Sequence, residues 1–429
     1  MGQNIIFYGP PGTGKTYTMQ KLKNKYTAYD IEDEIIVDAY INTSKDWLLV
    51  TLILLQNNGP MTNAEIHARV EVLPFPVSTS LNIRTSSILE NHSIGLNPIF
   101  TSREPKVFYQ IDSKWFVDVD KVSAYHPTFL EDYLSQDNIE ERFKFVTFHQ
   151  SFVYEDFIEG IRPVVADEGE NIDEETSELK YTVQPGVFKE VCQIAEANPH
   201  NNYAIFIDEI NRGNISSIFG ELITLIEPDK RLGEVNQLEI ILPYSKSKFG
   251  VPKNLDIYGT MNSTDRSIAL LDIALRRRFK FIEQTYRKDH LIKIMEERGI
   301  NPRDIEGIDL VMFIEAVNRR IEVLLDANFI LGHAFFTNLS NFNDLKEVVV
   351  EKIIPLLEEY FYDDLQKIQL IFSDLDEDGE LKHDVIYKHQ ELDADRLFEY
   401  PGEYELENKK SYRTNYDAGT DAFKKVYTN

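Results

Sequence analysis

The chain opens on a short, continuously apolar run, Asn4-Ile5-Ile6-Phe7-Tyr8, which predicts a strand buried on both faces. A Gly-rich turn follows at Gly9–Gly14, and Met19 and Leu22 on one side predict a helix from Lys15 to about Tyr26. A second strand is expected at Glu34–Asn42. From there to Asp120 the pattern changes. Trp47–Gln56 reads as an apolar helix stopped by Asn57-Asn58-Gly59-Pro60. Thr62 is placed to cap a helix over Asn63–Val70, and Ser78 or Ser80 one that runs to about His92. The runs Ile99-Phe100, Val107–Ile111 and Trp115–Val119 read as short strands. Three helices followed by a β-hairpin is the order of a winged-helix-like module.

Strand character returns at Lys144–Phe148. Asp167–Glu178 is acidic and poor in apolar residues, the signature of a mobile loop. Pro185–Ala197 is predicted as a helix, Tyr203–Ile207 as a fully apolar strand, Ile215–Glu227 as a helix, and Leu238–Leu242 and Leu255–Thr260 as strands. Beyond Ile282 the pattern is helical, at Asp289–Arg298, Ile308–Leu325 and Leu345–Tyr362. Past Phe372 the chain is polar and short-patterned, and periodicity assigns nothing. Strands alternating with helices predict an α/β parallel sheet with helices on both faces, followed by an all-α unit. The expected divisions are a core in two parts, 1–43 and 121–282, interrupted by an insertion at 44–120. A helical lid at 283–372 and an unassigned extension at 373–429 follow.

A length of 429 residues suits two or three domains, and 42% hydrophobic with 12% aromatic residues is enough to build their cores. The net charge of −27 argues against a protein that coats nucleic acid without specificity, since phosphate affinity needs a basic surface. Contact with DNA would require a local basic patch or a pore lined in an oligomer. Cys192 is the sole cysteine, which excludes an intramolecular disulfide and a Cys-based metal site. The run Trp47–Leu55 is too short to span a bilayer, and no secretory signal precedes the first strand. A soluble, cytoplasmic protein that does not enter membranes is expected.

Chemistry concentrates at strand ends. Gly9-Pro10-Pro11-Gly12-Thr13-Gly14-Lys15-Thr16 matches G-x-x-x-x-G-K-[ST]. Glycines let successive N–H groups curl around phosphate oxygens, and the helix N-terminus adds its positive dipole end. Lys15 would reach the β- and γ-phosphates, and the Thr16 hydroxyl would ligate Mg²⁺. Asp208-Glu209 closes an apolar strand and so faces the ligand-binding end of a parallel sheet. Asp208 suits Mg²⁺ binding; Glu209 suits the base that polarises an attacking water. Asn262, after another strand, can hydrogen-bond that water or the γ-phosphate. Arg276-Arg277-Arg278 offers either cations at a helix C-terminus or an arginine finger for a neighbouring subunit, with Arg277 and Arg278 ahead of Arg276.

Together these segments resemble AAA+ proteins, and within them the McrB family. Phe145-Val146-Thr147-Phe148-His149-Gln150-Ser151, running on to Tyr154-Glu155-Asp156-Phe157-Ile158-Glu159-Gly160-Ile161-Arg162-Pro163, resembles that family's FHxSxxYEDFxEGxRP segment. Ile207-Asp208-Glu209-Ile210-Asn211-Arg212 with Phe219-Gly220-Glu221 is similar to its Walker B region. Met261-Asn262-Ser263-Thr264-Asp265-Arg266-Ser267 is similar to its MNTADRS signature, and Ile330-Leu331-Gly332-His333-Ala334-Phe335-Phe336 to its lid. The resemblance implies a ring-forming, hexameric NTPase that favours GTP, translocates on DNA and is stimulated by an McrC-like nuclease. It gives Asn262 the water-positioning role, puts Asp265 and Arg266 in the intersubunit part of the site, and sets His333 near the sensor position of the lid.

The chain also departs from that pattern. Met1 lies almost on the first strand, where such proteins carry a reader of modified DNA. The guanine-reading Asn-Lys-x-Asp tetrapeptide is absent, so ATP stays open beside GTP. The insertion, with Arg84, Arg103, Lys106 and Lys114, suits a helix in a groove with a wing on phosphates, or equally a protein-docking module. A MoxR-type remodelling chaperone and a nucleotide-gated scaffold are the competing functions.

Overall fold

A computed structural model of the chain describes residues 2–76, 84–94, 103–134, 139–163, 181–264, 273–398 and 406–428. They divide into two compact units: one of residues 1–4, 17–208 and 214–258, the other of 5–16, 209–213 and 259–429. Five strands form the main sheet in the order Lys280–Glu283, Asn4–Gly9, Leu255–Asn262, Tyr203–Asp208, Phe143–Thr147. Ile5–Tyr8 runs parallel to Lys280–Glu283, and Phe143–Thr147 parallel to Tyr203–Asp208. The predicted α/β parallel sheet is therefore present. Ile6, Ile205, Phe206, Ile207, Leu255 and Ile257 are all buried, as a sheet covered on both faces requires. The first strand lies between the last and the fourth, and ligands of open parallel sheets bind beyond strand C-termini at such a switch point. Gly9, Asn262 and Asp208 occupy those termini.

In the first unit, Glu34–Asn42 is not a strand. The structure has a helix over Asp33–Thr43, with Asp33 and Glu34 in its first turn, where acidic residues complement the helix dipole. Ile36, Val37 and Tyr40 fall on one side at helical spacing, a pattern that the β-branched run Ile35-Ile36-Val37 disguises. The helices Asp46–Gln56, Asn63–Val72 and Thr85–Asn91 follow, then a hairpin of Phe108–Ile111 with Lys114–Val117. Thr62 and Glu65 form a reciprocal capping box. Leu48, Leu52, Ile66, Leu89, Phe108 and Trp115 pack into a cluster that also takes in Ile36 and Val37. Ser78, Ser80, Ile99-Phe100 and Asp167–Glu178 lie outside the described residues. The helix expected at Ile215–Glu227 ends at Phe219, because Gly220 adopts φ +51° and the chain continues as a 3-10 turn.

In the second unit, Leu310–Leu324 packs with the segments that follow it around Phe313, Ile314, Leu345, Ile353 and Leu357. The single helix expected over Leu345–Tyr362 is instead Phe342–Val348, a π turn at Val349–Ile353, and Ile354–Tyr360. Pro355 explains the widening, since it has no N–H to give the preceding turn. The described residues of the extension that periodicity left unassigned form regular elements. Tyr387–Leu392 pairs antiparallel with Lys409–Thr414, and Phe423 and Val426 of the helix Thr420–Thr428 join the same core as Phe313 and Phe342. Fully buried Asp374 fastens it, accepting from the N–H groups of Ile386 and Tyr387 and from Lys425 Nζ at 2.7 Å. Among the described residues no helix is long and apolar enough to cross a membrane.

Candidate nucleotide site

The loop Gly9–Thr16 joins the first strand to the helix Lys15–Lys23. Lys15, 7% exposed, turns its ammonium onto its own loop and donates to the carbonyls of Gly9 at 2.9 Å and Pro10 at 2.7 Å. The Thr13 hydroxyl donates to Pro10 O at 2.9 Å, while Thr16 is exposed at the start of the helix. Residues 332–334 lie along this loop as a strap. Gly332 N–H donates to Pro11 O at 3.1 Å and Ala334 N–H to Gly12 O at 2.8 Å. Both glycines are sterically required. A Cβ on Gly12, at φ +72°, would sit 2.5 Å from the Phe335 ring, and one on Gly332 would sit 2.0 Å from the Gly12 carbonyl.

The strap delivers His333 to the loop. Its Nε2 lies 3.7 Å from where a Cβ on Gly14 would be, and its ring meets His290 edge-on at 5.8 Å between centroids. Burial, with added repulsion from His290 and Arg287, lowers its pKa to about 4, so the imidazole is neutral at pH 7. Its Nδ1 is buried and has no hydrogen-bond partner among the described residues.

Beside the loop lies the acid. Glu209 has left-handed backbone angles, φ 52° and ψ 46°, which cost a non-glycine residue about 1–2 kcal/mol. Two groups hold it there. Its N–H donates to Thr260 Oγ1 at 3.1 Å, and its Oε1 accepts from Asn262 Nδ2 at 2.7 Å. Arg212 Nε stands 3.5 Å from Oε2, and buried Asn211 donates to the Asn262 carbonyl at 3.5 Å. The strand carrying Asn262 meets the loop directly, Ser263 N–H donating to Gly9 O at 3.0 Å. The loop, Glu209, Asn262 and His333 thus belong to one compact unit.

Asp208 ends its strand, with its carbonyl accepting from Phe148 N–H at 2.9 Å. Among the described residues no three His, Cys, Asp or Glu side chains gather as a metal cage. Mg²⁺ takes one or two protein ligands and completes its shell with phosphate oxygens and water, and a hydroxyl such as that of exposed Thr16 fits one of them. Arg277 is exposed, Arg278 is only 7% exposed, and Arg276 lies over the Phe281 ring at 5.9 Å. Asp265 and Arg266 fall outside the described residues. Thr260, Asn211, Gly332 and Phe335 went unassigned in the sequence. For Thr260 a signal existed: two residues before Asn262 on a strand, it shares that residue's face.

The stretch from Phe148 to Pro163 builds scaffold in the first unit. Phe157 packs on Phe188 and Phe219, each at 4.9 Å between centroids, or 6.0 Å between the latter two. Tyr154 donates to Glu221 at 3.0 Å across Gly220, whose Cβ position is 3.2 Å from the ring. Fully buried Glu159 accepts from Lys189 Nζ at 2.6 Å and from the N–H groups of Tyr244 and Ser245. Burial alone would raise its carboxyl, but these donors prevail and hold it below the usual range.

The AAA domain model of the dynein-related subfamily matches residues 130–279. The parallel sheet and the loop Gly9–Thr16 fit the same class, and the matched residues support an NTP-hydrolysing AAA+ enzyme. The model of the McrB α-helical lid domain matches residues 309–369. Over these stretches the chain is similar to McrB proteins. It is 36% identical over 250 residues to the Type IV methyl-directed restriction enzyme EcoKMcrB subunit of Escherichia coli (strain K12), covering 55% of this chain and 50% of that one. It is 27% identical over 245 residues to the Type II restriction enzyme BsuMI component YdiS of Bacillus subtilis (strain 168), covering 50% of this chain and 68% of that one. The chain thus spans half the length of the first relative.

Proposed function

We propose that the chain is the motor subunit of a DNA restriction system, hydrolysing GTP in preference to ATP with Mg²⁺ and working as a hexameric ring with an McrC-like nuclease. The observation that carries this reading is the Asn262–Glu209 pair, held in the same unit as the loop Gly9–Thr16. A glycine-rich loop at a strand end beside a positioned carboxylate suits in-line attack of water on a γ-phosphate. In this reading backbone N–H groups of the loop cradle the phosphates, and Lys15 exchanges the Gly9 and Pro10 carbonyls for phosphate oxygens. Thr16 and Asp208 serve the metal, Glu209 polarises water, and Asn262 and neutral His333 read the γ-phosphate side. Asp265 and Arg266 belong to the intersubunit part.

Of Arg277 and Arg278, exposed Arg277 is the better finger, because a residue that enters a neighbour's site must extend from its own surface. The restriction setting draws on the relatives' names. In the insertion Arg84, Arg103 and Lys114 are exposed, which supports contact with DNA phosphates or an acidic protein face. Native mass spectrometry with non-hydrolysable GTP and ATP analogues tests the assembly. A hexamer with the GTP analogue that Lys15→Ala abolishes is expected. A monomer under both analogues, or rings indifferent to Lys15, would contradict it.

A further inference from the structure

We infer that Thr260 is a positioning residue for hydrolysis: its hydroxyl fixes the turn that aims Glu209 at the attacking water. The inference rests on the reading of Glu209 as the base. Thr260 is 2% exposed on the strand Leu255–Asn262, and Asn262 follows it by two residues, so both side chains leave the same face. One grips the backbone of Glu209, through its N–H at 3.1 Å; the other grips the carboxylate, at Oε1 at 2.7 Å. The two bonds do different work. Asn262 sets the orientation of the carboxylate about its own bonds. Thr260 sets the point from which the whole side chain departs, because the Glu209 N–H belongs to the left-handed residue that swings the chain off the strand.

The strand is closely packed beside Thr260. Neighbouring Gly259 is crowded, its Cβ position 3.2 Å from Ile210 Cδ1 and 3.3 Å from Ile6 Cγ1. Without the hydroxyl, the half-buried N–H of Glu209 loses this acceptor. The turn then relaxes toward ordinary backbone angles and carries the carboxylate away from Asn262.

The test is Thr260→Val, which keeps the shape and removes the acceptor, beside Thr260→Ser, which keeps the acceptor. The full chain is assayed for turnover, for binding of a fluorescent GTP analogue, and for thermal unfolding. Valine should lower kcat by roughly ten- to a hundred-fold, the scale of a small misplacement of a reacting group, with analogue affinity within about two-fold of wild type. Serine should restore kcat. In a Glu209→Gln background, valine should cost nothing further. Should valine unfold the chain, Thr260→Ala removes the same acceptor with less bulk and carries the same expectation. A Thr260→Val protein with wild-type kcat, a serine variant as slow as valine, or costs that multiply in the Glu209→Gln background would overturn the inference. If Glu209→Gln itself turns over normally, the reading of Glu209 fails instead, so the two failures are distinguishable.

Discussion

Asn262 and Glu209 meet through one hydrogen bond, Nδ2 to Oε1 at 2.7 Å, made from the end of a core strand to the first residue beyond its neighbour. In the proposed reaction a carboxylate aimed this way would be held before substrate arrives, with no binding energy needed to orient it. Asn262→Ala should lower kcat by about ten- to a hundred-fold with little change in KM. Because the two residues act as a unit, Asn262→Ala with Glu209→Gln should be no slower than Glu209→Gln alone. Steady-state turnover of the four proteins checks this, and multiplicative losses would separate the pair.

The strap over the phosphate loop makes a steric prediction. Gly12→Ala drives a methyl to 2.5 Å from the Phe335 ring at a backbone angle of φ +72°, and should destabilise the protein by about 1–3 kcal/mol. Phe335→Ala should recover part of that loss when combined with Gly12→Ala. No side-chain deletion should rescue Gly332→Ala, whose clash is with the Gly12 backbone. Urea unfolding of these variants decides the matter. Equal rescue in both cases would mean that the strap does not lie against the loop.

His333 sets a pH dependence. Its folded pKa, about 4, lies below the ordinary histidine value, so the unfolded chain binds this proton more readily than the folded one. Its neutral, buried state therefore costs nothing above about pH 7 and penalises folding increasingly as pH falls from there toward 4, by on the order of 3 kcal/mol. His333→Gln should lose that part of the acid sensitivity. Unfolding free energies of the two proteins between pH 7 and pH 4 should differ progressively, and parallel curves would place the imidazole in water.

The arginine run separates by burial. Arg278, 7% exposed, should cost thermal stability when replaced by alanine, whereas exposed Arg277 should cost turnover and leave melting unchanged. If Arg277 acts on a neighbour, subunits carrying Arg277→Ala should regain activity when mixed with Glu209→Gln subunits. Absence of rescue would assign Arg277 to its own subunit.

Much of this site was legible because its signals are local. An apolar strand followed by Gly9–Thr16, and another closing on Asp208-Glu209, are patterns fixed by a few adjacent residues. What stayed hidden depends on distant partners. The helix Asp33–Thr43 carries a β-branched run that favours a strand locally, and only the surface it packs against selects the helix. Gly332 looks like any loop glycine until the Gly12 backbone stands beside it. The segment after Phe372 is short-patterned because its apolar residues, Tyr387 and Phe423 among them, complete a core that helices earlier in the chain begin.

Whether Glu209 acts on water beside a nucleotide held at Gly9–Thr16, as proposed, is decided by single-turnover hydrolysis of GTP with Mg²⁺ by wild-type and Glu209→Gln protein. The variant should bind a fluorescent GTP analogue as tightly as wild type and hydrolyse GTP at least about a hundred-fold more slowly. Hydrolysis by Glu209→Gln at the wild-type rate would contradict it.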